Sequence, residues 1–387
     1  MDPPPGFDGQ GEYANKVCLL RKSLYGLKQS RREWFERFSS VVLQHGFSRC
    51  QSDHTVFYRR SYHGRTYLLV YVDDIIITGD DSRGIVQIKE ALGKVFEVKD
   101  LGPLKYFLGI EVARSPKGIS LSQRKYVLDL LEDTGMLGCK PVFTPLIPNS
   151  KLLADSGDRL RDPSSYQRLV GRLIYLANTR PDISFVVSRV SQFMHAPCQS
   201  HLDAVYHILR YLKSCPGLGL FYAAGTQGPL ECYTDSDYGG SYDSRSTTGF
   251  CSFRGSHLIS WKSKKQSVVS QSSTEAEYRA LALGTCEVVW LRTMLGELGF
   301  SATTPSVLHC DNRAAIHLAS DSVLHERTKH VEIDVHFLRE KVRNGIVAPS
   351  FVRTKAQIAD TLTKPAGPSD LRSSIGKLGL LDIFAPA

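Results

Sequence analysis

The chain has 387 residues, with 48 Lys and Arg against 39 Asp and Glu, and therefore a formal charge of +9. Its 42% apolar and 22% charged residues are typical of folded globular proteins and argue against a disordered chain. No apolar run approaches the roughly 18–20 residues needed to cross a bilayer, and nine cysteines without a C-x-x-C pair argue against zinc ribbons and disulfide scaffolds.

Hydrophobic periodicity and turn residues predict the elements in chain order. Up to residue 215 these are helices at 22–45, 82–96 and 123–134, a strand hairpin at 67–78 turning at Asp73-Asp74, a strand pair at 101–112 closed by a turn at 115–118, a linker at 141–163, and a helical segment at 164–215. Later come strands at 219–222, 230–234, 248–253, 258–261, 307–310 and 348–352, and helices at 273–299, 312–319 and 329–344. This order predicts a mixed sheet with helices packed on it.

The excess of positive charge lies in the first part of the chain. Residues 1–222 hold 30 Lys and Arg against 22 Asp and Glu, whereas residues 223–365 hold 16 against 15. Because Lys and Arg neutralise phosphates, any electrostatic grip on nucleic acid is expected in the first part.

Two adjacent carboxylates, Asp73 and Asp74, separate the two apolar runs of the hairpin. Asp is common in turns because its side chain bonds local backbone N–H groups, so a structural role is the alternative. Buried strands on both sides would place the pair at the rim of a core, where like charges repel unless a cation lies between them. Carboxylate oxygens suit Mg²⁺, and the pair therefore indicates a divalent metal site.

Three blocks in this part resemble the polymerase of copia-type LTR retrotransposons: KSLYGLKQS at 22–30, YVDDIIITG at 71–79 and LGPLKYFLGI at 101–110. The resemblance implies that Asp73 is a metal ligand and catalytic residue of a polymerase palm, with Asp74 in a lesser catalytic role. It places Lys28 and Gln29 near the template and incoming nucleotide. Near the primer grip it places Phe107, Leu108 and Gly109.

Basic residues surround Trp34 and Phe35 in the first predicted helix. They are Arg21, Lys22, Lys28, Arg31, Arg32 and Arg37. Basic residues interleaved with aromatics suit phosphate contacts and base stacking. A core role is favoured for the two aromatics, whereas phosphate contact and a solvated helix face both stay open for the charges.

The resemblance also predicts an incomplete polymerase. A two-metal polymerase needs a third carboxylate from another strand, and in the family that residue lies upstream of a Pro-Pro-Gly-Phe segment. Here this segment is at residues 4–7. The leading palm Asp and most of the fingers are therefore expected to be absent, and polymerase activity to be lost.

Four further carboxylates follow the order strand, helix, strand end and final helix. They are Asp235, Glu277, Asp311 and Asp360, spaced by 42, 34 and 49 residues. Taken singly, each suits a helix start or a cap. Together they resemble a copia-type ribonuclease H, with local blocks such as YTDSD at 233–237, SSTEAEY at 272–278 and ADTLTK at 359–364. The resemblance implies that all four are catalytic and bind two Mg²⁺ ions, with Mn²⁺ as a substitute.

Neighbouring polar residues have competing interpretations. Glu275 is expected to be an acid of the helix N-terminus, and Asp237 a loop residue. For His330 a structural role is favoured over that of a proton shuttle. Three lysines could hold the DNA-strand phosphates of a hybrid or lie in a solvated loop, and these alternatives stay open for Lys262, Lys264 and Lys265.

The expected fold class is α+β or α/β. It comprises a partial polymerase palm (1–140), a linker with a helical thumb or connection (141–222), a ribonuclease H-like mixed sheet with packed helices (223–365) and a tail (366–387). The resemblance implies the C-terminal portion of a Pol polyprotein that hydrolyses the RNA strand of RNA–DNA hybrids. A non-catalytic nucleic-acid-binding relic, or an inactive genomic remnant, is the alternative.

Partners and location follow from the same resemblance. Expected partners are RNA–DNA hybrid and template–primer nucleic acid, with other Pol or capsid chains as a further class and no membrane. The expected location is the cytoplasm, within virus-like particles, with the nucleus as the alternative.

Overall fold

A computed structural model describes residues 17–21, 24, 26–147, 152–154, 157–225, 228–240, 243–320 and 332–384. Lys22 and His330 lie outside these described residues. The chain forms two compact units, Met1–Pro103 and Leu104–Ala387.

The helices of the described residues are α1 (Ser30–Gln44), α2 (Ser82–Val95), α3 (Arg124–Asp133), α4 (Ser164–Leu176), α5 (Ser184–Ser191), α6 (Gln199–Ser214), α7 (Ser273–Glu297), α8 (Arg313–Ser320), α9 (Glu332–Arg343) and α10 (Pro368–Lys377). The strands are β1 (Ser48–Arg49), β2 (Val56–Ser61), β3 (Gly64–Tyr71), β4 (Asp74–Gly79), β5 (Tyr106–Phe107), β6 (Ile110–Ser115), β7 (Gly118–Ser122), β8 (Leu218–Ala223), β9 (Leu230–Asp237), β10 (Thr247–Arg254), β11 (His257–Lys265), β12 (Ser306–Cys310), β13 (Val347–Phe351) and β14 (Leu380–Asp382). Short 3₁₀ helices span Pro181–Ile183, Thr354–Ala356 and Ile358–Leu362.

The first unit is an antiparallel sheet in the order β1-β2-β3-β4, with α1 and α2 contributing to its core. The first helix begins at Ser30 rather than at residue 22, since Gly26 upstream adopts a left-handed φ of 91°. Along β3, buried Leu68 and Val70 alternate with half-buried residues. Since β4 has no buried residue, the hairpin strands are only partly buried, and not buried as expected.

The hairpin predicted at 67–78 is confirmed, but its turn lies one residue earlier than predicted. Tyr71 pairs with Asp74, so that Val72 and Asp73 form the two-residue turn. Val72 has a left-handed φ of 48°, which is rare for a β-branched residue and carries a cost of roughly 1–3 kcal/mol.

A second sheet joins segments that are far apart in the chain. Its order is β14-β8-β7-β6-β5, and every pair is antiparallel. It unites strands from three of the four predicted domains, because β7, β8 and β14 all lie in it. The predicted boundaries at 140, 222 and 365 do not coincide with the compact units, and as boundaries of functional domains they stay a prediction.

The helical segment predicted at 164–215 is confirmed as α4, α5 and α6. The apolar face of α6 is fully buried, at Val205, Ile208, Leu209 and Leu212. These residues share one core with α3 and α4.

The predicted linker has no regular helix or strand in its described residues, but it is bound to α6. The Val142 amide donates to the Arg210 carbonyl at 3.2 Å, and the His207 ring donates to the Thr144 carbonyl at 3.0 Å. Leu146 and Leu152 are buried in the helical core. The segment is therefore packed against the helices.

The third sheet has the order β11-β10-β9-β12-β13. Its first three strands pair antiparallel, whereas β9, β12 and β13 pair parallel, which confirms the predicted mixed sheet. The helices α7, α8 and α9 pack together on this sheet around an apolar core that includes Leu281, Leu308 and Val335. None of the described helices is both long and apolar enough to span a membrane.

Candidate active site

Asp235 lies on β9, the central strand of the third sheet, and is only 2% exposed. Directly opposite on β10 is Gly249, where a Cβ would come within 2.8 Å of Leu362 Cβ. This glycine therefore allows the 3₁₀ helix Ile358–Leu362 to approach the sheet beside Asp235. The Thr363 hydroxyl donates to Asp235 Oδ2.

Glu277 lies near the start of α7 and is 6% exposed. Its Oε1 accepts the Ser236 amide at 3.1 Å, which holds the carboxylate against β9. The helix can approach the sheet because Gly284 has no side chain. A Cβ at this position would lie only 2.5 Å from Thr234 Cγ2. A side chain at that position would push α7, and Glu277 with it, away from Asp235.

Glu275 helps to cap the N-terminus of α7, in agreement with its predicted place as an acid at the start of this helix. Its Oε2 accepts the Gln271 amide at 2.8 Å, while the Ser272 hydroxyl accepts the Glu275 amide at 3.2 Å. Its Oε1 also pairs with Arg279 at 2.9 Å. Glu275 is thus engaged in capping.

Asp311 follows β12, where capping the next helix is the alternative to a role in the site. That role belongs to Asn312, whose Oδ1 accepts the Ala315 amide at 3.0 Å. Asp311 Oδ2 instead accepts the Thr354 hydroxyl at 2.8 Å. Asp311 therefore lies outside the cap.

Asp360 lies in the 3₁₀ helix Ile358–Leu362, which packs closely on Gly249. Its Oδ1 is 3.0 Å from the Lys364 ammonium, which is also 3.9 Å from Asp235 Oδ2. The four carboxylates thus come from β9, α7, the end of β12 and this 3₁₀ helix.

The four carboxylates and the Cys310 thiol form two overlapping groups of possible metal ligands. One group is Glu277, Cys310 and Asp311, and the other is Asp235, Asp311 and Asp360. Within each group, one ligand atom from every residue lies within 4.8 Å of the others. Asp311 belongs to both groups and so joins them into one acidic centre.

Comparison with known proteins decides the family. Residues 1–148 match the family described as reverse transcriptase (RNA-dependent DNA polymerase). The chain is similar to the retrovirus-related Pol polyprotein from transposon RE1 of Arabidopsis thaliana, at 46% identity over 98% of the chain and 26% of that polyprotein. It is 38% identical to that from transposon TNT 1-94 of Nicotiana tabacum, over 94% of the chain and 28% of the relative. The chain belongs to the copia-type Pol polyproteins.

This copia-type chain spans about a quarter of the length of these relatives, 26% and 28%. Among solved structures, the foamy viral protease-reverse transcriptase in complex with RNA/DNA hybrid is a distant likeness, with a TM-score of 0.44 and 12% identity. That match covers 86% of the chain and 39% of the solved chain.

Burial and mutual repulsion raise the pKa values of three carboxyls in the acidic centre. Burial, with Asp235 and Asp311 nearby, raises the pKa of Glu277 from 4.5 to about 9. Burial and Asp235 raise the pKa of Asp360 from 3.8 to about 7, and burial also raises the pKa of Asp235. Without a bound cation, the cluster therefore retains protons near neutral pH.

We expect the metal-free protein to lose stability as the pH rises from about 5 to about 9. In this window the folded chain holds protons on Glu277 and Asp360 that the unfolded chain releases at its ordinary pKa values. The unfolded state then binds fewer protons, so the free energy of unfolding falls by up to about 1.4 kcal/mol per pH unit for each group. Thermal unfolding in EDTA at a series of pH values measures this slope. A slope that is equally steep in Glu277→Gln would contradict the assignment to Glu277.

Gln266 connects the strands to the start of α7. Its amide nitrogen donates to Thr248 Oγ1 and to the Ala276 carbonyl, each at 3.0 Å, and to Ser236 Oγ at 3.3 Å. Because the Ser236 amide binds Glu277, this buried amide fixes the acidic centre indirectly.

The three predicted phosphate-binding lysines lie on strand β11, not in a loop. Lys262 and Lys264 are exposed and lie on the same face of that strand. Lys265 lies on the other face, where it pairs with Asp243 at 2.8 Å and Gln192 at 2.9 Å. A phosphate contact thus stays a prediction, and it is geometrically simplest for Lys262 and Lys264.

The predicted sites of the polymerase part are spread over both compact units. Asp73 and Asp74 are exposed, and no group of three possible metal ligands in the described residues includes either of them. Phe107 ends β5, while Leu108 and Gly109 form a two-residue turn with φ of 48° and 79°. Their primer-grip role stays a prediction.

The basic residues around α1 are exposed, as a nucleic-acid contact requires. Of the predicted nucleic-acid contacts, Lys28, Arg31 and Arg32 are exposed, and so is the uncharged Gln29. Arg32 pairs with Glu36 at 2.8 Å. Phe35 packs on the core, as favoured, whereas Trp34 is stacked on Phe38 but 37% exposed.

Several residues of the acidic centre were not predicted as site residues. They are Cys310, Thr354, Thr363 and Lys364. Asp237, predicted in a loop, is the last residue of β9. For Thr363 and Lys364 a signal existed, since both lie in the ADTLTK block. For Thr354 none did, because only the fold brings it to Asp311.

Proposed function

We propose that the acidic centre binds divalent metal ions and that this copia-type chain cleaves the RNA strand of RNA–DNA hybrids. The observation that carries the proposal is the pair of overlapping ligand groups that share Asp311. Four carboxylates from separate elements, two of them buried and two half-buried, are costly for folding at this separation unless a cation binds them.

The residues fit Mg²⁺ as the first candidate and Mn²⁺ as a substitute. The donor set is dominated by hard carboxylate oxygens, which both ions prefer. The upward pKa shifts of Asp235, Glu277 and Asp360 are what a cluster of acids shows without its cation. When bound, two such ions would lower the pKa of an attacking water and neutralise charge on the leaving 3′-oxygen.

The chain's own residues orient the ligands. The Thr363 hydroxyl holds Asp235, and the Ser236 amide holds Glu277. The Thr354 hydroxyl holds Asp311. Each of these donors leaves other carboxylate lone pairs for a metal, so the site is preorganised.

A hybrid substrate suits the surroundings of this centre. Lys262 and Lys264 project from the exposed side of β11 and would contact the phosphates of the DNA strand. Because sequence-independent binding rests on such contacts, cleavage should weaken as salt concentration rises.

We also propose that the chain does not synthesise DNA by itself. In the described residues, no third carboxylate joins Asp73 and Asp74. The exposed turn that carries Asp73 would therefore hold a metal ion weakly.

The test is cleavage of an end-labelled RNA–DNA hybrid in Mg²⁺ by the purified chain. We expect cleavage of the RNA strand in the hybrid but not of the same RNA as a single strand. Asp235→Asn keeps the side-chain shape and the bond from Thr363 but loses the charge, so cleavage should fall by roughly a thousandfold.

Asp73→Asn is the matched control, since it makes the same change at an exposed carboxylate of the other unit. Asp73→Asn should leave cleavage unchanged. A primer-extension assay should show no DNA synthesis by the wild-type chain or by Asp73→Asn. Binding of the hybrid without cleavage would support the non-catalytic relic instead. Cleavage that persists in Asp235→Asn would rule out the proposed centre.

A further inference from the structure

A lysine occupies one side of the acidic centre. The Lys364 ammonium lies 3.0 Å from Asp360 Oδ1 and 3.9 Å from Asp235 Oδ2. Among the described residues, Lys364 is the one cation within salt-bridge distance of the four carboxylates. The two carboxylates that it contacts form a ligand group with Asp311.

The backbone presents this ammonium to the site. The Thr363 and Lys364 amides both donate to the Asp360 carbonyl at 3.1 Å, which closes a turn directly after the 3₁₀ helix. In the same turn, the Thr363 hydroxyl holds Asp235. The local chain thus places a hydroxyl and an ammonium on neighbouring carboxylates.

The lysine has an open route away from the site. Its side chain is 45% exposed, whereas that of Asp235 is 3% exposed. A lysine stem is flexible and strongly hydrated at its tip, so the ammonium can move into solvent without repacking of the core. The carboxylates, in contrast, are fixed by the sheet and the 3₁₀ helix.

We propose that Lys364 is a built-in counter-cation that occupies Asp235 and Asp360 in the metal-free protein and must leave when these residues bind a divalent ion. Lys364 is then a positioning residue that keeps the carboxylates together and sets the metal concentration at which the centre fills. This inference rests on the proposed function, because it takes Asp235 and Asp360 as metal ligands.

Competition of this kind has a measurable size. If the ammonium occupies the two carboxylates in about nine of ten metal-free molecules, it raises the apparent Kd for metal roughly tenfold. Lys364→Gln removes the charge and should therefore tighten the binding of Mn²⁺ by roughly that factor. Lys364→Arg keeps the charge and should stay close to the wild-type Kd.

The experiment is calorimetric titration of the full chain with Mn²⁺ in the absence of nucleic acid. Lys355→Gln, an exposed lysine in the neighbouring 3₁₀ helix, is the matched control for a general change in charge. Its Kd should equal that of the wild type. As a second readout, Lys364→Gln should melt at a lower temperature than the wild type in EDTA and gain more from added Mn²⁺.

The outcomes separate this inference from the proposed function. If the wild-type chain binds Mn²⁺ and cleaves hybrid, but Lys364→Gln has an unchanged or larger Kd for Mn²⁺, only the proposed role of Lys364 is overturned. If Asp235→Asn binds Mn²⁺ as tightly as the wild type, the metal centre itself is wrong, and both proposals fail.

Discussion

Asp311→Asn should abolish cleavage of the hybrid and weaken metal binding more than any other single change at the acidic centre. Asp311 is the one carboxylate that belongs to both ligand groups, so its loss damages both at once. Asn keeps the shape and can still accept the Thr354 hydroxyl, so the fold should survive. Because each 1.36 kcal/mol is a factor of ten, loss of several kcal/mol at the transition state means a fall of roughly a thousandfold or more.

A matched control for this prediction is Glu275→Gln. Glu275 is a buried acid two residues from Glu277, but it is committed to the cap of α7 and to Arg279. Its replacement should cost about 1 kcal/mol of stability and leave cleavage intact once folding is verified by circular dichroism. Similar losses of cleavage in both variants would show that general electrostatics, not the shared ligand, governs activity.

Asp182→Ala is expected to give the largest loss of stability, about 3–5 kcal/mol. Arg180 is 1% exposed and donates to both oxygens of Asp182, at 2.9 and 2.7 Å. The Tyr211 hydroxyl donates to the same carboxylate at 2.7 Å. Removing the carboxylate would leave a buried guanidinium without its counter-charge. Urea unfolding followed by circular dichroism measures the change.

The exposed pair Arg172 and Asp133 gives the comparison. Its N–O distance of 2.7 Å equals the shorter contact of the buried pair, but the Asp133 side chain is 61% exposed. Asp133→Ala should therefore cost less than about 1 kcal/mol, since solvent screens exposed ion pairs. Equal costs for the two Asp→Ala variants would contradict the prediction that burial decides the effect.

Most helices and strands could be predicted because their signals are local. The apolar face of α6 repeats at helical spacing, so Val205, Ile208 and Leu209 are buried as expected. Short β-rich runs bounded by turn residues similarly indicated β9 to β12. The sequence predicts the hairpin turn one residue too late, because Asp is the favourable turn residue. In the fold, Tyr71 pairs with Asp74, and Val72 takes up the left-handed conformation of the turn.

The four carboxylates were found through the order of their blocks, and the tertiary structure brings them together. Gly249 and Gly284 show why this is possible, since a Cβ at either position would collide with an element that carries one of the four carboxylates. The role of these glycines could not be predicted from the sequence, because each approaches a distant part of the chain. Gly249 approaches Leu362, more than a hundred positions away, and Gly284 approaches Thr234, about fifty positions away. The sheet that joins β7, β8 and β14 was missed for the same reason.

The family, the succession of helices and strands, and the candidate metal ligands could be predicted before the fold was known, because they depend on motifs and on periodicities within single elements. The sequence also placed the excess of positive charge, +8 of the +9, in residues 1–222. The fold alone shows that Asp311 belongs to both groups of candidate ligands, that Thr354 and Thr363 donate to Asp311 and Asp235, and that Lys364 contacts Asp360. These contacts join distant segments, and their energies depend on burial and distance, which exist only once the chain has folded.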